Sequence, residues 1–199
     1  MFPNFLKAIP ACALMASCLL AFAQPCYGNK QITYAYNLGG MPISCSIYVS
    51  QACVSGISTS MTRGKVYSIL GSPDYSNSSG GSWTYTYGKY GNGITLKFID
   101  YGGSGNPTVC DIEVTSPSYA TIDGVVVGMP ASVLSSVYGT ADVVNEIKML
   151  APKLTVAQQQ KYTDKFAQTV YTYYASEVLT MSFKVKGNII RSINVHLTD

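Results

Sequence analysis

Apolar and polar residues alternate strictly along several segments of this chain, and each such segment has the length of a β-strand. Successive side chains of a strand point to opposite faces of a sheet, so a period of two predicts strands that bury only one face. Runs of glycine and asparagine separate neighbouring segments, as hairpin turns require. We therefore predict antiparallel strands at 82–87, 94–98, 109–114, 179–185 and 190–195.

The alternation also predicts which side chains the sheet presents to solvent. Trp83, Leu96 and Phe183 lie on the apolar side of their strands, and an exposed apolar surface of that size would promote aggregation. We expect helices to cover this side and to leave the other face open. The open face then carries the candidate binding residues: Thr84, Thr86, Thr95, Lys97, Thr180, Ser182, Lys184 and Arg191.

Two stretches, 60–74 and 128–142, align without a gap at an offset of 68 residues. In both, a methionine precedes a helical pattern, a glycine ends it, and an aspartate follows three residues later. A repeat of this kind indicates one supersecondary unit used twice. The matched pairs are Met61/Met129, Gly71/Gly139 and Asp74/Asp142.

Around the repeat, the chain divides into a leader (1–23), a hairpin segment with cysteines (24–55), a first repeat (56–116) and a second repeat (117–199). The second repeat contains an insertion at 143–169, where Thr155 and Gln158 form a capping-box signature and helical spacing follows. That helix either covers the sheet core or serves as a docking element. We predict an α+β fold of tandem helix-plus-antiparallel-sheet repeats, forming one continuous sheet with helices on one face.

The first 23 residues have the form of a secretory signal peptide. Lys7 supplies the positive charge, an apolar stretch follows, and Ala21-Phe22-Ala23 is a small-x-small cleavage site before Gln24. A lipoprotein signal ending at Cys18 is the alternative, and it would anchor the chain to a membrane. We expect a secreted, periplasmic or cell-envelope protein.

Charge and cysteine content narrow the function classes. The formal net charge is only +3 and charged residues make up 12% of the chain, so we expect no nucleic-acid partner. Cys26, Cys45, Cys53 and Cys110 follow the leader, and an even count in an exported chain predicts two disulfides with three possible pairings. The spacings contain no C-x-x-C, and we expect no metal and no cofactor.

The chain lacks a recognisable catalytic arrangement. His196 is the only histidine, and no serine elbow accompanies it. Asp111 and Glu113 lie on a predicted strand, where a carboxylate-dependent hydrolase is the alternative interpretation. We predict that the chain is not an enzyme.

The repeated unit resembles the family that unites the β-lactamase-inhibitor proteins with the SmpA/OmlA (BamE-like) lipoprotein domain. The resemblance is carried by G-M-[TPS]-x-x-x-[VL], then G-x-[PA]-[DE], then a Y-x-Y strand, over about residues 54 to 198. In the two repeats the strand motif is Trp83-Thr84-Tyr85 and Tyr171-Thr172-Tyr173. The resemblance implies a module that binds another protein. An envelope lipoprotein with a structural or assembly role, anchored through Cys18, is the alternative.

Overall fold

The alternating segments form one antiparallel sheet of eight strands in the computed structural model, which describes residues 33–36, 42–89, 92–147, 155, 158 and 167–198. The strands of this sheet are β5 (Tyr75–Ser79), β6 (Ser82–Lys89), β7 (Asn92–Ile99), β8 (Thr108–Val114), β9 (Val143–Ile147), β10 (Gln168–Tyr174), β11 (Leu179–Lys186) and β12 (Ile189–Leu197). Their spatial order is β5-β6-β7-β8-β12-β11-β10-β9. The two halves of the sheet, β5–β8 and β9–β12, therefore meet along β8 and β12.

Shorter elements surround the sheet. The pairs β1 (Thr33–Tyr36) with β2 (Pro42–Cys45) and β3 (Cys53–Val54) with β4 (Ile57–Ser58) are separate two-stranded sheets. A 3-10 helix spans Val49–Gln51, and the α-helices are α1 (Arg63–Leu70) and α2 (Ser132–Tyr138). In the described part of the chain, neither α-helix has the length and apolar character needed to span a membrane.

The predicted α+β fold of tandem helix-plus-sheet repeats is wrong. The described chain is mainly β, and its two α-helices have eight and seven residues. Each helix buries few side chains: Val66 on α1, and Leu134 and Tyr138 on α2. The strands supply most of the core, so the repeat recurs in strands and turns of one sheet rather than in helix-plus-sheet units.

The N-terminal hairpin also departs from expectation, because β1 and β2 pair with each other and not with the large sheet. The segment that follows β2 contacts the second half instead. The Ile47 amide donates to the Tyr174 carbonyl at 3.3 Å, and the Ser46 hydroxyl donates to the Asp142 carboxylate at 2.6 Å. Buried Ile47 then joins the core of the sheet.

The predicted insertion at 143–169 begins with strand β9, which pairs with β10. Most of the predicted helix at 155–168 lies outside the described residues. Its capping box is present, since the Thr155 amide donates to Gln158 Oε1 at 3.1 Å and the Gln158 amide donates to Thr155 Oγ1 at 3.4 Å.

Backbone hydrogen bonds establish how the two halves correspond. The Asp74 amide donates to the Thr86 carbonyl, and the Asp142 amide donates to the Thr172 carbonyl, each at 3.0 Å. Thr86 therefore matches Thr172. The sequence alignment of Trp83-Thr84-Tyr85 with Tyr171-Thr172-Tyr173 is thus displaced by two residues.

The turn after each helix is built alike. Gly71 and Gly139 end the helices with φ of 76° and 77°, a region that residues with a Cβ rarely adopt. The hydroxyl of Tyr87 donates to the Gly71 carbonyl, and the hydroxyl of Tyr173 donates to the Gly139 carbonyl. These shared contacts explain why the glycines recur in the sequence.

The predicted division of the sheet into an apolar and a polar side is confirmed. Val66 and Leu134 of the helices belong to the same buried cluster as Leu96, Phe98 and Phe183, so both helices lie on the apolar side. The opposite side, here called the open face, is covered by neither α1 nor α2. Its side chains form the candidate site.

Candidate functional site: the open face of the sheet

Strand register brings the predicted site residues together in rows across the open face. One row joins Thr84, Lys97 and Asp111 and continues through His196 to Thr180. A second row pairs Thr86 with Thr95, then Glu113, Asn194 and Ser182.

Two further predicted residues lie at the irregular end of β12. Lys184 pairs with Ser192, and the register shifts at the next position. Arg191 is the extra residue of this β-bulge and is exposed. Seven of the eight predicted residues are therefore paired with a neighbouring strand on the open face, and Arg191 lies at the bulge in β12.

Asp111 is the centre of a polar network on this face. Its carboxylate accepts a hydrogen bond from Asn194 Nδ2 at 2.7 Å and lies 3.4 Å from Lys97 Nζ. His196 Nδ1 lies 3.7 Å from the same carboxylate. The Asp111 side chain is 15% exposed and that of Lys97 is 59% exposed, so the carboxylate is held inside the network while the lysine reaches solvent.

Next to this network lie a looser ion pair and a threonine pair. Lys184 Nζ is 3.9 Å from Glu113 Oε1, and both side chains are nearly half exposed. The hydroxyls of Thr86 and Thr95 are 3.4 Å apart. The face therefore presents ordered, alternating charges with hydroxyl groups around them.

Asp111, Glu113 and Asn194 were not among the predicted binding residues. The sequence does indicate that they lie on the open face, because they occupy polar positions in the alternating segments 109–114 and 190–195. Placing Asn194 beside Asp111 and Glu113 also requires that β8 pairs with β12, which are about 80 residues apart in the chain. Alternation predicts which face of the sheet a side chain is on, but it does not predict which strand lies next to it.

The carboxylates named in the hydrolase alternative, Asp111 and Glu113, both lie on the open face, and each is close to a lysine. Glycoside hydrolysis uses two carboxyl groups that flank the scissile bond, and the hydrolase alternative stays a prediction. Within the described residues, no group of three or more His, Cys, Asp or Glu side chains is placed to hold a metal ion.

The aromatic residues of β6 lie on the covered side. Tyr85 and Tyr87 are buried, and burial raises the pKa of Tyr87 to about 12. The Arg63 guanidinium lies 5.0 Å from the centre of the half-buried Trp83 ring, and Arg63 Nη1 donates to the Tyr85 hydroxyl at 3.4 Å. Trp83 therefore contributes to core packing under a cation–π contact.

Three of the four cysteines in the disulfide prediction, Cys45, Cys53 and Cys110, lie in the described part of the chain. No two of Cys45, Cys53 and Cys110 are at disulfide distance. Burial raises the pKa of the half-buried Cys53 thiol. A pairing with Cys26 lies outside the described residues, so the disulfide framework stays a prediction.

A groove of about 390 Å³ lies on the helix-bearing side of the second half, beside α2. Ala131, Ser135 and Leu134 form its helical wall, and Val144 and Tyr171 form its sheet wall. It lies on the opposite side of the sheet from Asp111 and Glu113.

The chain matches no protein-family model and no curated protein. Among solved structures it is similar to a DUF4309 family protein (YjgB) from Bacillus subtilis subsp. subtilis, with 14% sequence identity and a TM-score of 0.38. The match covers 69% of this chain and 78% of that chain. A functional conclusion for this chain therefore depends on its own geometry.

Proposed function

We propose that this chain is an exported, non-catalytic module of the cell envelope or extracellular space, and that its open face binds another protein. The observation that carries the proposal is the Asp111 network. Asn194, Lys97 and His196 hold one carboxylate in place on an otherwise open surface. Charges ordered before binding favour a specific protein partner, because little side-chain freedom is lost on association.

The wider face supports the same proposal. Lys97, Lys184 and Glu113 reach solvent, while Thr84, Thr95 and Thr180 are partly exposed between them. Interspersed charges of both signs supply the electrostatic complementarity by which a protein face selects its partner and fixes the register of binding. The resemblance of the helix-to-strand motif to a family of protein-binding proteins agrees with this function, and the leader sequence agrees with export.

Site-specific photo-crosslinking tests the proposal. A benzophenone amino acid placed at Thr95 or Thr180 reports contacts of the open face, and the same residue at Ser68, exposed on α1, is the matched control. We expect crosslinking in intact cells to give one protein adduct from both face positions and none from Ser68. The same adduct from all three positions, or enrichment of glycan without a protein adduct, contradicts the proposal.

Charge reversal tests the role of the network. Lys97→Glu places a carboxylate beside Asp111, and we expect it to abolish the face-specific adduct while the protein stays folded. Lys65→Glu on α1 changes the net charge equally and is the control. Equal loss of the adduct in both variants would indicate a net-charge effect and would contradict a specific face.

Export is tested separately by mass spectrometry of the mature N-terminus. Cleavage after Ala23 leaves Gln24 as the first residue. A mature chain that begins at a lipid-modified Cys18 would replace free secretion by membrane anchoring.

A further inference from the structure

The groove beside α2 exists because the two halves of the sheet differ at two helical positions. The Gly71 amide donates to the Tyr67 carbonyl, and the Gly139 amide donates to the Ser135 carbonyl. Ser135 is therefore the counterpart of Tyr67. By the same register, four residues earlier in each half, Ala131 at the N-cap of α2 is the counterpart of Arg63.

The sheet wall of the groove also has a counterpart in the first half. Tyr171 pairs with Val144, and Tyr85 pairs with Ser76, at matched ladder positions. In the first half the Tyr67 ring lies against the Tyr85 ring, with centroids 5.7 Å apart and an interplanar angle of 70°. An aromatic ring thus fills the place that stays open in the second half.

We infer that the groove beside α2 binds the tyrosine side chain of a partner protein. The first half shows the chemistry that fits, because it fills the equivalent space with its own tyrosine. In the second half, the small side chains of Ala131 and Ser135 leave that space open, while Tyr171 keeps the aromatic wall. A volume of about 390 Å³ lies within the roughly 300–1,000 Å³ of ligand pockets and leaves room for one aromatic side chain.

The walls favour an aromatic ring over a charged group. Leu134, Ala141 and Val144 are apolar, and the edge of a ring that meets the face of Tyr171 gains an aromatic contact beyond its buried area. The open rim leaves a phenolic hydroxyl in contact with water. That the bound tyrosine belongs to a partner protein rests on the proposed function. That the groove binds an aromatic ring does not.

The test uses the full mature chain and N-acetyl-L-tyrosinamide as the probe, with amide chemical shifts as the readout. We expect saturable shifts at Leu134, Ala141 and Tyr171, and none with N-acetyl-L-alaninamide. Shifts that do not saturate up to the solubility limit of the probe would overturn the inference. So would contacts of residues 148–166 with Tyr171 in the free protein, because the chain would then fill its own groove.

A matched pair of variants locates the site. Ser135→Tyr restores the residue of the first half and fills the groove, so the saturable shifts are lost. Ser136→Tyr adds the same ring one position further along α2, where the side chain is exposed, and the shifts are retained. Retention in Ser135→Tyr, or equal loss in both variants, would contradict a site beside α2.

A reciprocal variant keeps the inference testable if Ser135→Tyr does not fold. The double variant Arg63→Ala/Tyr67→Ser gives the first half the small residues of the second half and opens the equivalent space beside Tyr85. We expect a second set of saturable shifts, at Val66 and Tyr85, in addition to the first. A folded double variant that shows no second set would contradict the inference.

The outcome is independent of the open face. If crosslinking at the open face fails while the tyrosine probe binds, the proposed partner is lost and the ring site remains. If the probe does not bind while the open face crosslinks a protein, the ring site is lost and the proposed function remains.

Discussion

The two halves of the sheet, β5–β8 and β9–β12, share their backbone contacts and differ in the side chains that surround them. Asp74 and Asp142, Gly71 and Gly139, and Tyr87 and Tyr173 make the same hydrogen bonds in the same places. Arg63 and Tyr67 have no large counterparts beside α2, and the N-terminal segment contacts only the second of the two matched aspartates among the described hydrogen bonds. The shared residues build the turns, so specificity is located at the positions that differ.

The interior shows the same contrast, and it gives the largest expected effect. In the second half, Phe183 packs against the rings of Tyr138 and Tyr173, with centroids 5.4 and 5.9 Å away. We expect Phe183→Ala to lower the free energy of unfolding by about 3–5 kcal/mol. Leu96→Ala, at the matched ladder position, loses a smaller side chain and costs about 2–4 kcal/mol. Urea denaturation measures both, and equal losses would contradict the greater role of the aromatic cluster.

The next effect separates the matched aspartates. Asp142 accepts hydrogen bonds from the Tyr174 amide and the Ser46 hydroxyl, whereas exposed Asp74 accepts one from the Gly88 amide. We expect Asp142→Ala to cost about 2–3 kcal/mol and Asp74→Ala about 1 kcal/mol. As the control, each aspartate variant is combined with Ser46→Ala, and the unfolding of the two double mutants is measured in the same way. A coupling of about 1 kcal/mol is expected with Asp142, and a similar coupling with Asp74 would contradict the asymmetry.

Alkaline pH probes a feature that the halves share. Burial raises the pKa of Tyr87 and of Tyr173 to about 12, from about 10 in an unfolded chain. The folded state then holds these protons more tightly, so its stability is complete below pH 10 and falls as the pH rises from about 10 to about 12. Melting temperatures measured over this range should show the loss.

Single substitutions apportion that loss between the halves. We expect Tyr87→Phe and Tyr173→Phe each to reduce the alkaline loss by a similar amount, while Tyr75→Phe, at an exposed site, leaves it unchanged. Buried Tyr138, whose pKa is also raised by burial, retains part of the dependence in every variant. If only one of the two substitutions reduced the loss of stability at alkaline pH, the matched environments of Tyr87 and Tyr173 would be contradicted.

The smallest effect on stability concerns the open face. Lys97 and Lys184 are 59% and 44% exposed, and exposed ion pairs contribute less than about 1 kcal/mol. We expect Lys97→Ala and Lys184→Ala to leave the free energy of unfolding within about 0.5 kcal/mol of the parent value. The same variants should reduce the crosslinking yield at Thr95. A large loss of stability would instead make the face a part of the scaffold.

Much of the local structure was predictable from the sequence. Gly71 ends α1, as the repeat predicts, and Thr62 caps the helix by accepting from the Lys65 amide. The alternation placed Lys97 and Thr180 on the polar side because the parity of a strand depends only on local sequence. A two-residue turn of Gly187 and Asn188, both with positive φ, joins β11 to β12 in the predicted hairpin.

The architecture was less predictable, for physical reasons. β5 is polar and exposed along its whole length, so no alternation marks it, and its omission lowered the predicted strand content. Trp83 was aligned two residues away from the position that the hydrogen bonds require, because a shift of two leaves the parity of a strand unchanged. The groove beside α2 depends on how Ser135 and Tyr171 meet across elements, and periodicity contains no such information.

The seam between β8 and β12 has one further consequence. Val114 pairs with Ile193 and Ile112 pairs with Val195, while Glu113 and Asn194 face each other between them. Exchanging the halves maps the two apolar pairs onto each other and the Glu113–Asn194 pair onto itself, which is the geometry of an isologous subunit contact. A fragment that contained a single half would present this self-complementary strand to its own copy. The molecule therefore has the form of a homodimer joined into one polypeptide, in which each half is free to diverge without losing the symmetric seam.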